Sequence, residues 1–257
     1  MKSWKQFSKN VRLQGRNLLK RLDDFPNSIL VTGCQRSGTT LLSRIITNSE
    51  GMVNYWFGRD DELDAALILS GYVQHKPIGR YCFQTTYLNQ RYYEYFNKKN
   101  GYKMIWVLRN PLSVVYSMLY NWKKFALNEL FESCGTPYMD ENDRIYYKLF
   151  GKLGLNRLKR ACLAYNGKVS QVFELKKKLS PCIIKIIDYD VLVRNKYECL
   201  PLIYKHIELP YKTEYANMIH SKSLTKASKL SKKEQLRIEK ICMPIYKKAS
   251  VLIDISI

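Results

Sequence analysis

Short unbroken apolar runs alternate along this chain with stretches whose apolar residues recur every three or four positions, as when buried strands feed amphipathic helices. Ile29, Leu30 and Val31 form one such run, stopped by Gly33, and Leu41, Leu42, Ile45 and Ile46 then give a helix one sheet-facing side. Met104 to Leu108 is a second buried strand, with Asn110 as helix cap, Pro111 at the first helical position, and Val114, Val115, Met118 and Leu119 as the buried side. Pro181 to Ile187 reads as another strand, and Met52 to Phe57 as a further one. Helices are expected over 89–98, through most of 121–178, and from about Ser231, where Ile238, Ile241, Cys242 and Ile245 share a face. Cys134-Gly135-Thr136-Pro137 interrupts the helical stretch as an exposed loop. Strands alternating with helices predict an α/β three-layer sandwich with a central parallel sheet, its ligand outside the carboxyl ends of the strands.

No repeat, low-complexity segment or glycine- or proline-rich linker divides the 257 residues, so one domain is expected, with 1–25 as a basic lead-in helix. Residues 1–22 hold seven Lys or Arg and no acid, with Trp4, Phe7, Val11 and Leu18 at roughly helical spacing. Two readings stay open there: a membrane-surface or partner-binding helix, and a solvated lead-in. A formal charge of +21 points to a polyanionic ligand or partner without choosing among nucleotides, acidic glycans, nucleic acid and acidic lipid. Seven scattered cysteines with no CxxC pair, no signal-peptide core and no apolar run near the ~18 residues of a membrane span fit reduced thiols in a cytoplasm.

The chemistry concentrates in the turn after the first strand. Between Gly33 and Gly38 lie Cys34, Gln35, Arg36 and Ser37, followed by Thr39 and Thr40. Such a loop wraps backbone N–H groups around the positive end of a helix, where phosphate is the natural guest. Gly38 permits close approach, Ser37, Thr39 and Thr40 add hydroxyls, and Arg36 adds a forked charge. Gly33, Gly38 and Thr40 fit the P-loop spacing, but Thr39 stands where the lysine belongs, and a kinase needs that lysine.

In the form Arg-Ser-Gly-Thr-Thr-Leu, residues 36–41 resemble the 5'-phosphosulfate loop of the sulfotransferases that use 3'-phosphoadenosine 5'-phosphosulfate (PAPS). Residues 104–118, MIWVLRNPLSVVYSM, resemble the strand and helix that bind the donor's 3'-phosphate, with Arg109, Asn110, Pro111 and Ser117 matching in order and spacing. The resemblance implies direct sulfuryl transfer from PAPS to a hydroxyl or amine, with Arg36 helping to stabilise the leaving phosphate and no metal required. Nucleic acid is not expected as a partner. The acceptor stays open, a glycan or a small molecule.

The family's acceptor-side base is a carboxylate in some branches and a histidine in others. Where the family often carries Lys-Thr-His or Lys-Thr-Pro, this chain has Gln84, Thr85 and Thr86, which favours a carboxylate. Asp60, Asp61 and Glu62 are the candidates, with helix N-capping as the competing role for each. Tyr138, Tyr146 and Tyr147 are candidates for an acceptor pocket near the 134–137 loop. Asp188-Tyr189-Asp190 with Leu192 resembles, with changes, the family's Tyr-Glu-Asp-Leu element, the rival being a Walker-B acid at Asp188. Lys222, Lys226 and Lys229 are candidates to replace a late basic loop whose Gly and Trp this chain lacks. The alternatives are an altered P-loop kinase and a basic nucleic-acid or membrane-surface protein without catalysis.

Overall fold

The computed structural model describes residues 3–58, 60–99 and 101–255. Four parallel strands, β1 (Ile29–Gly33), β2 (Cys82–Gln84), β3 (Lys103–Leu108) and β4 (Ile184–Asp188), pair in the order β2-β1-β3-β4. The chain leaves β1 for β2 on one side, then crosses back to β3 on the other, so the crossovers diverge at the carboxyl ends of β1 and β3. That divergence leaves the crevice in which open α/β sheets bind ligands.

Alternation along the strands divides the interior in two. Leu30, Met104, Trp106, Leu108, Ile184 and Ile186 face one core, covered by α3 (Asp61–Leu69), α4 (Pro111–Tyr120), α5 (Lys124–Leu130), α7 (Arg157–Lys178) and α10 (Lys232–Ser250). Ile29, Val31, Ile105, Val107 and Ile187 face the other, covered by α2 (Thr39–Thr47), α8 (Tyr189–Arg194) and α9 (Lys196–Ile207). The result is the expected α/β arrangement of a parallel sheet between helical layers.

Three local expectations fail. Residues 52–57 make a single bridge, Met52 to Arg80, instead of a strand. Tyr55 turns into the core against Phe83, and Gly58 (φ +85°) redirects the chain toward α3. The segment Thr86–Asn97 is a run of 3-10 turns, because Asn89 takes φ +48° and breaks the ladder where its side chain accepts the Gln35 amide. Among its described residues the lead-in holds short pieces instead of one helix: α1 (Trp4–Phe7), a wide turn Ser8–Arg12 and a 3-10 turn Leu22–Asp24. Phe7, Val11 and Leu18 are buried in the sheet's first core, so this side serves neither a solvated helix nor a membrane surface. Arg12 fastens it by an ion pair to Glu129 and a 2.9 Å bond to the Tyr87 carbonyl.

Candidate active site

The turn from β1 to α2 is held by two glycines that no other residue replaces. Gly33 (φ +143°) lies so close to β3 that an added Cβ would meet the Val107 carbonyl oxygen at 2.4 Å. Gly38 caps α2 at φ +99°, and a Cβ there would meet the Tyr189 ring at 2.0 Å. Arg36 itself takes φ +74°, a sparsely populated conformation for a side-chain-bearing residue, of the kind that clusters in ligand loops. The first N–H groups of α2, on Thr39 and Thr40, have no helical carbonyl to donate to.

The second motif arrives at the same place. Arg109 follows β3 and is almost fully buried, its Nε donating to Asp190 at 3.1 Å, its Nη2 to the Ser223 carbonyl at 2.7 Å, and its guanidinium stacked 4.4 Å from the Tyr189 ring centre. Asn110 caps α4 by accepting the Leu112 N–H, and about two turns of helix later Ser117 accepts a 3.0 Å bond from Arg36 Nε. Arg36, Gly38, Thr39, Thr40, Arg109, Ser117 and Lys226 thereby line one cavity of about 190 Å³. Burial pulls the pKa of Arg36 down, Glu62 opposes, and Arg109 adds to the shift. Lys226 is pulled down by burial first, then by Arg109, Arg36 and Lys229. A bound anion would relieve this crowding of cations.

This cavity adjoins a larger one of about 440 Å³, and Gln35, Arg36, Thr40, Glu62, Gln84 and Trp122 line both. Glu62 therefore stands at the junction. It accepts a short hydrogen bond from the Thr86 hydroxyl and a 3.4 Å contact from the Gln84 amide, whose Nε2 also donates to Thr39 Oγ1 at 3.1 Å. Burial pushes its pKa up to about 7, against the opposing Thr86 bond. Gln84 and Thr86 thus hold a carboxylate.

The sequence matches no protein-family model and no curated protein. Solved structures do match in shape. A sulfotransferase domain from the curacin biosynthetic pathway superposes with a TM-score of 0.52 at 14% identity, covering 88% of this chain and 97% of that one. A sulfotransferase from Alicyclobacillus acidocaldarius gives 0.51 at 12%, covering 90% and 97%. A mouse sulfotransferase complexed with PAP gives 0.50 at 13%, covering 91% and 90%. The chain has the sulfotransferase fold.

On that fold the other candidate residues fall in different places. Asp60 is an N-cap: its Oδ1 accepts the N–H groups of Glu62 and Leu63, and its Oδ2 the Trp4 indole N–H at 3.2 Å. Asp61 is held in an ion pair with Arg44 at 2.6 Å. Of the three neighbouring acids only Glu62 lines the smaller cavity. Asp188 spends one oxygen on the N–H groups of Asp190 and Val191 and the other on the Tyr246 hydroxyl at 2.8 Å, which leaves no oxygen free for the Walker-B role. Lys222 and Lys229 are exposed and line neither cavity, in contrast to Lys226.

The tyrosines expected around an acceptor lie elsewhere. Cys134 and Gly135 are buried against α7, where a Cβ at Gly167 would meet the Cys134 carbonyl at 1.8 Å, so the expected exposed loop is a packed turn. Tyr138, Tyr146 and Tyr147 line neither of the adjoining cavities. Their place is taken by Trp4, Arg12, Arg44, Tyr87, Trp122 and Lys123. Among the described residues no histidine lines either cavity. Lys168, also missed, is buried on α7 and donates to the Thr86 carbonyl at 3.0 Å, as does Gln35 Nε2. Together they fix the residue whose hydroxyl holds Glu62. A lysine in a mid-helix run of mixed polarity carries no local sign of such burial.

Proposed function

We propose that this protein is a sulfotransferase that moves a sulfuryl group from PAPS to a hydroxyl or amine of an acceptor, carbohydrates being one candidate class. The observation that carries the reading is the Arg36–Ser117 hydrogen bond, which joins the two phosphate-binding motifs beside Arg109 and Lys226 in one cationic cavity. The Thr39 substitution at the P-loop lysine position and the engaged Asp188 argue against an ATP-type phosphoryl site. Arg36, Gly38, Thr39 and Thr40 would hold the phosphosulfate end, and Arg109, Ser117 and Lys226 the 3'-phosphate end, while Ser37 is buried beneath the loop and lines neither cavity. The donor supplies an electrophilic sulfur with adenosine 3',5'-bisphosphate (PAP) as leaving group.

Glu62 is assigned as general base. A pKa of about 7 keeps a large fraction ionised near neutrality while leaving it basic enough to take the acceptor's proton. Thr86, held by Lys168 and Gln35, orients that carboxylate, and the larger cavity receives the acceptor. Arg36 and the helix N–H groups stabilise charge on the departing phosphate. Calorimetric titration with PAP, against ATP plus magnesium at moderate salt, tests the donor assignment: saturable binding of PAP alone is expected, and preference for ATP would overturn it.

A further inference from the structure

While the basic lead-in hides its apolar side, helix α6 (Glu141–Phe150) and the turn Gly151–Gly154 do the opposite. Ile145, Tyr146, Leu149, Phe150 and Leu153 are 51%, 53%, 67%, 59% and 91% exposed. Their spacing places Ile145, Tyr146, Leu149 and Phe150 along one face of α6, and Leu153 follows in the turn after Gly151 (φ +57°) ends that helix. Only Asp143 and Tyr147 turn inward from α6. Asp143 closes a capping box with Asp140, and Tyr147 packs on Phe131 at 5.7 Å. Single exposed apolar residues need no explanation, but a contiguous set marks an interaction surface.

Along the apolar stretch itself the charge is of one sign, the acids lying before it at the start of α6 and across from Lys152. From 144 to 153 the chain carries Arg144, Lys148 and Lys152 and no acid. Arg144 and Lys148 are exposed and form no ion pair among the described residues, while Lys152 reaches Glu132 at 2.5 Å. At the start of α6, Lys159 bridges Asp140 and Asp143, and beyond it opens a groove lined by Lys233, Arg237 and Lys240 of α10.

We propose that α6 and the 151–154 turn dock on a membrane surface carrying anionic lipid, with the apolar residues entering the boundary between headgroups and acyl chains. Protein interfaces are depleted of lysine at their centres, whereas lysine and arginine interleaved with Leu, Phe and Tyr suit a lipid interface, where long stems reach back to the headgroups. The +21 charge of the whole chain adds long-range attraction to such a surface. No helix among the described residues is long and apolar enough to cross a bilayer, so the contact is peripheral.

Co-sedimentation of the full chain with phosphatidylcholine vesicles, with and without phosphatidylserine, tests this. Binding is expected only with phosphatidylserine, weakening as salt rises. The Leu149→Glu/Phe150→Glu variant should lose at least roughly tenfold in affinity, and Arg144→Gln/Lys148→Gln about 25-fold, since each surface cation contributes roughly fivefold. Because these side chains are exposed, both variants should keep the parental melting temperature. Absence of phosphatidylserine-dependent binding, or binding indifferent to Leu149→Glu/Phe150→Glu, overturns the proposal. So does a concentration-dependent dimer abolished by that variant without any vesicle binding, which would give the face to a second copy of the chain.

Discussion

The two cavities that meet at Glu62 are built on different terms. The smaller takes all but Lys226 of its candidate anion-holding residues from two continuous motifs, Arg36, Gly38, Thr39 and Thr40 in the first and Arg109 and Ser117 in the second, because gripping an anion needs consecutive N–H groups and fixed cations at a helix start. The larger draws Trp4 and Arg12 from the lead-in, Arg44 from α2, Tyr87 and Asn89 from the 3-10 segment, and Trp122, Lys123 and Glu129 from around α5. Nothing requires those residues to be neighbours in sequence. A site for a fixed group compresses into a motif, and a site for a variable one disperses over the fold.

The largest effect expected of any single change lies at the junction. Glu62→Gln should lower kcat by roughly 10²–10⁴-fold, the range of a positioned general base, while leaving the affinity for PAP nearly unchanged. In the parent the rate should rise with pH through a limb near pH 7, where Glu62 loses its proton, and level off above it. Survival of that limb in Glu62→Gln would move the base elsewhere and join the two cavities into one undivided site.

Next in size is the anion grip itself. Arg36→Ala removes the charge that ties the phosphate loop to Ser117, and PAP should bind roughly 10–100-fold more weakly, in line with one or two lost charge-assisted hydrogen bonds. Arg109→Ala should weaken PAP binding too, and lower the melting temperature as well, since Arg109 also holds Asp190 and the Ser223 carbonyl. Unchanged PAP affinity in both variants, measured by calorimetry, would detach the smaller cavity from nucleotide binding.

The same division explains what was legible in the sequence. The strands at β1, β3 and β4 show as apolar runs because burial on both faces leaves no polar alternation to confuse. The loop at 36–40 and the Arg109–Ser117 spacing show because their chemistry is local. The role of 52–57 does not show, since Val53 and Tyr55 have strand-like character whether or not a partner strand lies alongside. The lead-in is misread because basic residues on one side of a short amphipathic segment look alike over a core and over water. Choosing among Asp60, Asp61 and Glu62 needs the third dimension: Trp4, Arg44 and Thr86, distant in sequence, decide what each carboxylate faces.

Glu62 also makes a stability argument. Its carboxyl holds its proton up to about pH 7 in the folded chain, against 4.5 for the ordinary group, so the folded state binds more protons than the unfolded state between those values. Stability therefore falls as pH rises from about 4.5 to about 7, and the loss persists above. Glu62→Gln should be more stable than the parent at pH 8, by about 1–2 kcal/mol after allowing for the solvent that still reaches the partly buried side chain, and no more stable at pH 4. Denaturant melts at the two pH values measure this, and an equal effect at both would mean that the carboxylate is well solvated.

The smallest effect separates two lysines that sequence alone treats alike. Lys226 reaches the smaller cavity beside Arg36 and Arg109, where burial and the two guanidiniums depress its pKa, while Lys222 stays exposed on the same basic segment. Lys226→Ala should weaken PAP binding by roughly 3–10-fold, less than Arg36→Ala because a flexible ammonium holds a phosphate less firmly than a forked guanidinium. Lys222→Ala should leave PAP affinity within about twofold, since an exposed charge outside the cavity is screened by solvent and salt. Calorimetry on the two variants at one salt concentration reads the difference directly. Equal losses would mean that the whole 221–229 segment closes over the nucleotide as a diffuse basic cover, and that the anion site extends beyond the two compact motifs into the dispersed part of the fold.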